Sequence, residues 1–598
     1  MSTLLQNDRN FGWADARLGQ SIPGPSTEST VQETYIMSGI PGGKAVVDTL
    51  QREGVNHVFG LIGSAGMEIF DALYGVPEIR YIGVRDERTG THMADGYARA
   101  SGQAGVIIAG QNGPGVTNLV TGLAQACAAF SPVIALAGSL STAHVYRDAF
   151  QEVDQQALLK PVTKKTWTAT QAKRLPEMVH EAFRTALAPR AGPVALNLPR
   201  DLLAEIVEYD DGPSGWRAPL VAAGGADSIA RAAELLRGAR KPLILAGGGV
   251  KNGRCHEVVL ALAELLHAPI VLSPGHGDAI PCGHPLYAGQ MGPRGNVVAT
   301  DLARQADVII ALGTRIGFNT TFYTYDNLNA EAAIIQVESD PLALGRLVPV
   351  TLGIFGDAGA VAAQLCRELA GHAATHAVQW AQDFRGKRTA LLAQRDGEVA
   401  AVTNPLQPAT LFKMLRNACP ADAMFTMDAG TLCLQATDQL HYAQPPSLFT
   451  PLDFGLVGFS YACGLGVKLA CPERTVISLM GDGGFGMTMS EIGTAVAHNI
   501  NSVCVVMNNG CWGAEKAYQR DFFGGRYIGA DVPNPPYDKV AELFGAKGFR
   551  VDTAAQFEPA LQAAMTCGKP AVIDVQIDPN ALYSFRRDSF KHRDSSKK

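Results

Sequence analysis

Short β-branched runs alternate with amphipathic helical stretches from about Gly42 almost to the end of the chain, and this alternation constrains the fold more than any other feature. Val46 to Glu53 carries helical spacing, His57 to Leu61 is extended, Met67 to Leu73 is helical again, and Tyr81 to Val84 and Gly105 to Ala109 are extended. Such succession builds a parallel sheet covered by helices. A polar stretch with Gly and Pro, Tyr209 to Gly225, interrupts the pattern. A second series follows, with strands expected at Pro242 to Ala246, Ile270 to Ser273, Val308 to Leu312 and Ile334 to Val337. After a segment read as irregular, Ala373 to Pro405, a third series has strands at Phe425 to Asp428, Val476 to Met480, Val503 to Asn508 and Val572 to Ile577. The expected fold is α/β, with three doubly wound parallel-sheet domains over 41–208, 225–372 and 400–580. A flexible tail is expected over 1–40 and a basic tail over 581–598. The length of 598 residues agrees, since one domain usually takes roughly 100 to 200 residues.

Composition narrows the function classes. Hydrophobic residues make up 47% and charged residues 18%, with 64 glycines, as a compact protein with many tight turns requires. The net charge is only −6 and basic residues are not clustered in the body of the chain, so nucleic acid is not an expected partner. Small molecules are. Eleven cysteines lie scattered without a CxxC pair or a disulfide rhythm and read as reduced thiols. No stretch reaches the roughly 18 apolar residues that span a bilayer, and Met1 to Ser38 holds no apolar secretory core. No membrane partner and a cytoplasmic location are expected.

The chemistry concentrates in the third series. Strand Thr475 to Met480 runs into Gly481-Asp482-Gly483-Gly484-Phe485 and then a helix. In open α/β sheets ligands sit at the carboxyl ends of strands, where helix N-termini offer N–H groups to anions, so a diphosphate fits there. Asn509 stands 27 residues after Asp482, at the tip of another apolar strand. Two strand tips can converge on one ion, and hard Mg2+ takes oxygen ligands. The Asp482 carboxylate, the Asn509 amide and the Cys511 carbonyl are the candidate metal ligands.

Gly-Asp-Gly, this spacer and Asn508-Asn509 together resemble the signature of the thiamine-diphosphate enzyme superfamily. The resemblance implies thiamine diphosphate and Mg2+ as cofactors, a carbonyl substrate, and domains that bind the pyrimidine (first), are central (second) and bind the diphosphate (third). The cofactor is an electron sink whose thiazolium C2 carbanion attacks a carbonyl. Its activation needs a carboxyl group beside the aminopyrimidine N1′. Glu87 is the candidate, in a segment that resembles the family's glutamate region through His92, Met93, Gly96, Tyr97 and Arg99. His92 and Gln151 are further catalytic candidates. Resemblance also places Gly455 as the carbonyl that fixes N4′, Val457 as the wedge that bends the cofactor, and Asp428 and Gly430 in the loop on the diphosphate side, with Gly481, Asp482, Gly483, Gly484, Asn509 and Cys511 completing the cofactor set. In this superfamily the glutamate meets the diphosphate across a subunit interface, which implies a homodimer or homotetramer.

Four pieces resemble the sulfoacetaldehyde acetyltransferase family within that superfamily: Phe59 to Ala65; Gly110 to Gly115 with Asn118; Trp512 to Lys516 with Gln519, Asp521 and Phe522; and Phe585 to Asp588. That family converts sulfoacetaldehyde and phosphate to acetyl phosphate and sulfite, so groups that bind anions are required. Lys516, Arg586, Arg587 and Lys591 are candidates, with Gln111 and Asn112 as further substrate contacts. The chain departs from that family in Gly510-Cys511 and in Asp86 and Arg88 around Glu87. Asp148 to Glu152, with Lys164, also resembles acetolactate synthase, which decarboxylates a 2-oxo acid and joins the product to an acceptor. FAD, which acetolactate synthase holds in its middle domain, is left out, although Gly247 to Gly249 and Arg315 lie in suggestive turns. The middle domain reads as structural.

Overall fold

Three parallel six-stranded sheets carry the chain in the computed structural model, which describes residues 39–208, 221–292, 294–322, 325–399, 404–585, 590 and 592. The expected N-terminal tail lies almost wholly outside the described residues, as do most of Tyr209 to Gly225 and of the C-terminal tail. The first domain closes at its base where Ile40–Pro41 pairs antiparallel with Ile206–Val207. Its sheet strands are β1 (His57–Leu61), β2 (Arg80–Gly83), β3 (Gly105–Ala109), β4 (Val133–Ser139), β5 (Lys165–Thr168) and β6 (Val194–Pro199), in the order β2-β1-β3-β4-β6-β5. β3 and β6 are buried along their whole length, and β3 accordingly has an unbroken apolar sequence, while β6 is interrupted by buried Asn197. Helix α1 (Glu87–Ser101) follows β2, and α2 (Pro114–Ala128) follows β3. The Asp86 side chain caps α1 by accepting from the Arg88 N–H at 2.7 Å, and Gly102 ends it in the left-handed region at φ 79°.

The central domain has β7 (Pro242–Ala246), β8 (Ile270–Leu272), β9 (Tyr287–Gln290), β10 (Val308–Leu312), β11 (Ala333–Glu338) and β12 (Leu352–Phe355). Their order, β9-β8-β7-β10-β11-β12, is that of the dinucleotide-binding fold. The segment expected to be irregular instead holds a 21-residue helix, α3 (Val378–Glu398). Only Trp380, Ala381 and Phe384, near its start, are buried, so no apolar stripe runs its length.

The third domain repeats the topology of the first. Its strands are β13 (Met424–Met427), β14 (Leu448–Phe449), β15 (Val476–Gly481), β16 (Val503–Asn508), β17 (Lys547–Val551) and β18 (Ala571–Gln576), in the order β14-β13-β15-β16-β18-β17. The helices that matter for the site are α4 (Thr431–Gln439), α5 (Ser460–Ala470), α6 (Asp482–Thr488), α7 (Glu491–Ala497) and α8 (Gly513–Phe522). Among the described residues no helix is long and apolar enough to cross a membrane.

Helices α1 and α5 occupy the same topological place, after the second strand of their domains, and they pack directly on each other. The contact is reciprocal: a side chain at Gly96 would overlap the Cys463 carbonyl, and one at Gly466 would overlap the Met93 carbonyl. One continuous core runs through the junction, with Met93, Tyr97, Tyr461, Leu465 and Phe485 all buried. A buried ion pair of the central domain fastens it to backbone groups of the third. Lys251 and Asp278 meet at 2.9 Å, and Asp278 also accepts the Ser447 and Leu448 N–H groups at 2.8 and 2.9 Å. Pairing and the backbone N–H groups offset part of the cost of burying two charges, and burial still holds the Lys251 ammonium below its usual range.

Because backbone faces backbone at the α1/α5 contact, Gly466→Ala should lower stability by about 1–3 kcal/mol, more than an Ala substitution at exposed Gly397. Thermal unfolding of the two variants checks this, and equal midpoints would contradict the close approach.

Candidate active site

The carboxyl ends of β13, β15 and β16 open into a cavity of about 170 Å3. Gly481, Asp482, Gly483 and Gly484 form one wall, Asn509 and Cys511 a second, and Gly430, Gly455 and Val457 a third. The sequence expectation therefore brings nine residues together. Two glycines are required by packing: a Cβ at Gly484 would overlap Asp428 Oδ2, and one at Gly483 would lie 2.6 Å from the Trp512 ring. Gly430 and Gly455 have φ of 121° and 82°, and a side chain on either would project into open space. Asp428 does not line the cavity. It lies beneath it and accepts the N–H groups of Gly458 and Phe459, both at 3.0 Å, which fixes the loop that carries Gly455 and Val457. Burial pushes its carboxyl up to about 6.

Three oxygens converge at one end of the cavity. The outer end of the Asn509 side-chain amide stands 3.1 Å from the Cys511 carbonyl oxygen and 3.1 Å from Asp482 Oδ1, and either of its two orientations fits that space. Turned over, the amide would donate to both neighbours; oxygen-inward, the trio has the donor chemistry of a hard divalent cation site. Asp482 is steadied from behind by Asn534, which donates to Oδ2 at 2.6 Å, and by Tyr537, whose hydroxyl donates to the Asp482 carbonyl at 2.9 Å. Burial raises the Asp482 carboxyl above its usual range, so a cation beside it would favour the ionised form. Asn534 and Tyr537 were missed in the sequence because Asn534 lies in an irregular stretch and Tyr537 opens a short helix, Tyr537–Leu543, with no spacing signal to either.

The first domain assembles a separate cluster. Glu87, the first residue of α1, is 3% exposed, and its Oε2 accepts from Asn118 of α2 at 3.0 Å. Burial is the main reason its carboxyl is raised. A Cβ at Gly115 would stand 3.0 Å from Glu87 Oε1, so glycine there leaves that oxygen uncovered. Gln111 donates to Gln151 Oε1, and Asn112 donates to the Gln151 carbonyl at 3.1 Å. Gln151 has a positive φ of 63°. The expected Glu87, Gln111, Asn112 and Gln151 thus share one edge, and none of them lines the cavity of the same chain.

Other expectations fall elsewhere. His92 is fully buried at the α1/α5 junction, 5.3 Å from the Phe459 ring, with no hydrogen-bond partner for either nitrogen among the described residues. Burial drives it down to about 3, which makes it a neutral packing group rather than a proton carrier. Lys516 binds Asp531 at 2.6 Å and does not line the cavity. Arg586 and Arg587, like Lys591, lie outside the described residues. The departures around Glu87 have local explanations: Asp86 caps α1, and Arg88 donates to the Met487 carbonyl at 3.3 Å. The central domain, read as structural, reaches the cavity through Arg294.

Comparison with known proteins agrees with this geometry. Residues 40–158, 229–365 and 428–575 match the N-terminal TPP binding domain, the central domain and the C-terminal TPP binding domain of thiamine pyrophosphate enzymes. The chain is 38% identical over 575 residues to sulfoacetaldehyde acetyltransferase of Alcaligenes xylosoxydans xylosoxydans, covering 91% of this chain and 94% of the relative. This chain belongs to the thiamine pyrophosphate enzyme family. A sulfoacetaldehyde acetyltransferase of Castellaniella defragrans is 36% identical, with 91% of this chain and 94% of the relative covered. A probable acetolactate synthase large subunit of Methanococcus aeolicus is 31% identical, with 91% and 93% covered. As a member of the thiamine pyrophosphate enzyme family the chain is an acyl or aldehyde transferase that uses thiamine diphosphate.

Asp428 makes the cofactor-side loop sensitive to pH. Its folded value lies above 3.8, so its stabilising contribution is complete below pH 3.8 and is lost as pH rises through about 6. Over that window the wild type should lose about 3 kcal/mol relative to Asp428→Asn. Urea unfolding at several pH values measures the difference, and parallel profiles would contradict the upward shift of Asp428.

Proposed function

We propose that the chain acts as a sulfoacetaldehyde acetyltransferase on a Mg2+–thiamine diphosphate centre completed by a second copy of itself. The observation that carries the cofactor reading is the three-oxygen convergence of Asp482, Asn509 and Cys511 at the tips of β15 and β16. These residues would hold Mg2+, a hard cation that takes oxygen ligands. Bound thiamine diphosphate supplies a thiazolium carbanion that adds to a carbonyl and accepts electrons while a neighbouring group departs. The Gly481–Gly484 turn would bind the diphosphate with backbone N–H groups, and Asp428 would hold the 455–459 loop so that the Gly455 carbonyl orients the pyrimidine and Val457 supports its bend.

Glu87 would keep a proton at the pyrimidine N1′, a role its raised carboxyl suits. Within one chain it is separated from the cavity, which supports a two-fold assembly that sets the first domain of one copy against the third domain of the other. Exposed apolar groups support the same arrangement: Tyr146 and Phe150 are 96% and 83% exposed beside Gln151, and Phe454 is 53% exposed beside Gly455. Gln111, Asn112 and Gln151 would then face the substrate. Sulfoacetaldehyde and hydrogen phosphate would yield acetyl phosphate and hydrogen sulfite, the C–S bond breaking and a C–O bond to phosphate forming. The eleven unpaired thiols suit a cytosolic location.

Incubation with Mg2+, thiamine diphosphate, sulfoacetaldehyde and phosphate should release sulfite and acetyl phosphate in equal amounts. Acetolactate and CO2 from pyruvate, without sulfite from sulfoacetaldehyde, would overturn the substrate assignment. Glu87→Gln should slow deuterium exchange at the bound cofactor's C2 by about 100-fold or more while cofactor affinity stays within a few-fold. Unchanged exchange would remove Glu87 from the mechanism.

A further inference from the structure

The segment that carries Gly455 and Val457 is gripped from all three domains. Asp428 of the third domain holds its far end through the Gly458 and Phe459 N–H groups. Its near end is a tight turn, in which the Phe454 and Gly455 N–H groups both donate to the Pro451 carbonyl, at 3.1 and 2.6 Å. Just before the turn, Arg99 of α1 in the first domain donates to the Thr450 carbonyl at 3.1 Å. Between these anchors Gly455 touches little. Its φ is 82°, and nothing beyond its chain neighbours lies within 4 Å of where a Cβ would stand. The direction of its carbonyl therefore follows from how the turn is held.

The central domain supplies the remaining grip. The carboxyl ends of its strands, where a sheet of this order ordinarily presents groups to a ligand, face the turn. A Cβ at Gly275, just past β8, would lie 3.3 Å from the Leu452 side chain. Past β10, the Arg315 Nη2 donates to Asp453 Oδ1 at 2.9 Å, and the Asn319 amide donates to the Leu452 carbonyl at 3.2 Å. The base of Arg315 is braced, since the Thr314 carbonyl accepts from Gln336 at 3.2 Å and the Thr314 and Ser273 hydroxyls are 2.8 Å apart. The guanidinium carbon also lies 4.8 Å from the ring centre of Phe130 in the first domain. A planar cation braced at its base, laid on a ring face and bonded to a carboxylate resists displacement of that carboxylate.

We propose that Arg315 is a positioning residue for the cofactor site: through Asp453 it fixes the Pro451–Gly455 turn and so the direction of the Gly455 carbonyl. Arg315 does not line the cavity and acts through the turn alone. This rests on the proposed reading in which the Gly455 carbonyl orients the pyrimidine, and it gives the central domain a part in activating the cofactor.

The test uses the full-length protein and two readouts. In the cofactor-free protein, amide hydrogen exchange of peptides spanning 450–459 reports the turn, and peptides of α1 report the surrounding fold. With Mg2+ and thiamine diphosphate at saturation, deuterium exchange at the bound cofactor's C2 reports its activation. Arg315→Met and Asp453→Asn should each speed amide exchange in 450–459 about fivefold, leave α1 unchanged and slow C2 exchange about tenfold. The double variant should lose no more than either single one, because both remove the same contact. The inference is overturned if either single variant matches the wild type in 450–459 amide exchange or in C2 exchange, if the losses multiply in the double variant, or if α1 loosens as much as the turn. A wild type that binds the cofactor without accelerating C2 exchange rejects the cofactor reading and the inference with it. Equal acceleration in the wild type and Arg315→Met rejects the inference alone.

Discussion

The packing of α1 on α5, backbone against backbone at Gly96 and Gly466, decides where every reactive group of this chain can be. It joins two domains of identical strand order through the helix that follows the second strand of each. It also fixes the start of α1, where Asp86 caps the helix and Glu87 turns toward Asn118 on α2. The acid is consequently held at the edge of its own domain, away from the cavity at the tips of β13, β15 and β16. Further contacts hold the same end of α1: buried Glu491 of α7 accepts the Arg85 N–H at 3.0 Å and the Thr89 hydroxyl. A rigid joint of this kind makes domain closure within one chain an implausible way to bring Glu87 over the cofactor, and a second chain the simpler one.

Around the cavity, polar groups are arranged in shells. Asp482, Asn509 and the Cys511 carbonyl meet at one end of it, where they would present oxygen to a cation, and Asn534 and Tyr537 hold Asp482 from behind. The 510–512 turn is itself braced, since Trp512 N–H donates to the Ala530 carbonyl at 2.7 Å and the Val532 N–H to that of Gly510 at 2.9 Å. Supports of this sort would set ligand orientation if the trio holds a metal. The central domain, tied on by Lys251 and Asp278, contributes Arg294 to the same space.

Much of this was readable from residues alone, for identifiable reasons. Strands buried on both faces, such as β3, β7 and β16, print as unbroken apolar runs and were located within a residue or two. β14 has two residues and β17 is partly exposed, so neither shows a pattern. Helix α3 escaped because its buried residues cluster near its start. That Asp482 and Asn509 meet could be read because the spacing between two adjacent strand tips is fixed by the chain that links them. Glu87 came through resemblance, and His92 was over-read from the same segment, since helical adjacency says nothing about which neighbour faces a ligand. Arg294 left no mark: its place depends on Asn319, Phe318, Phe322 and Phe585, brought together only by tertiary packing.

The central claim is that the acid and the metal ligands of one working site come from different chains. Mixing two inactive variants, Glu87→Gln and Asp482→Ala, after dissociation and reassembly tests it most directly. If sites form between chains, random pairing restores one intact site in each hybrid and about a quarter of wild-type activity. If the mixture stays as inactive as its parents although hybrids are demonstrably present, each site is built within a single chain and the account is wrong.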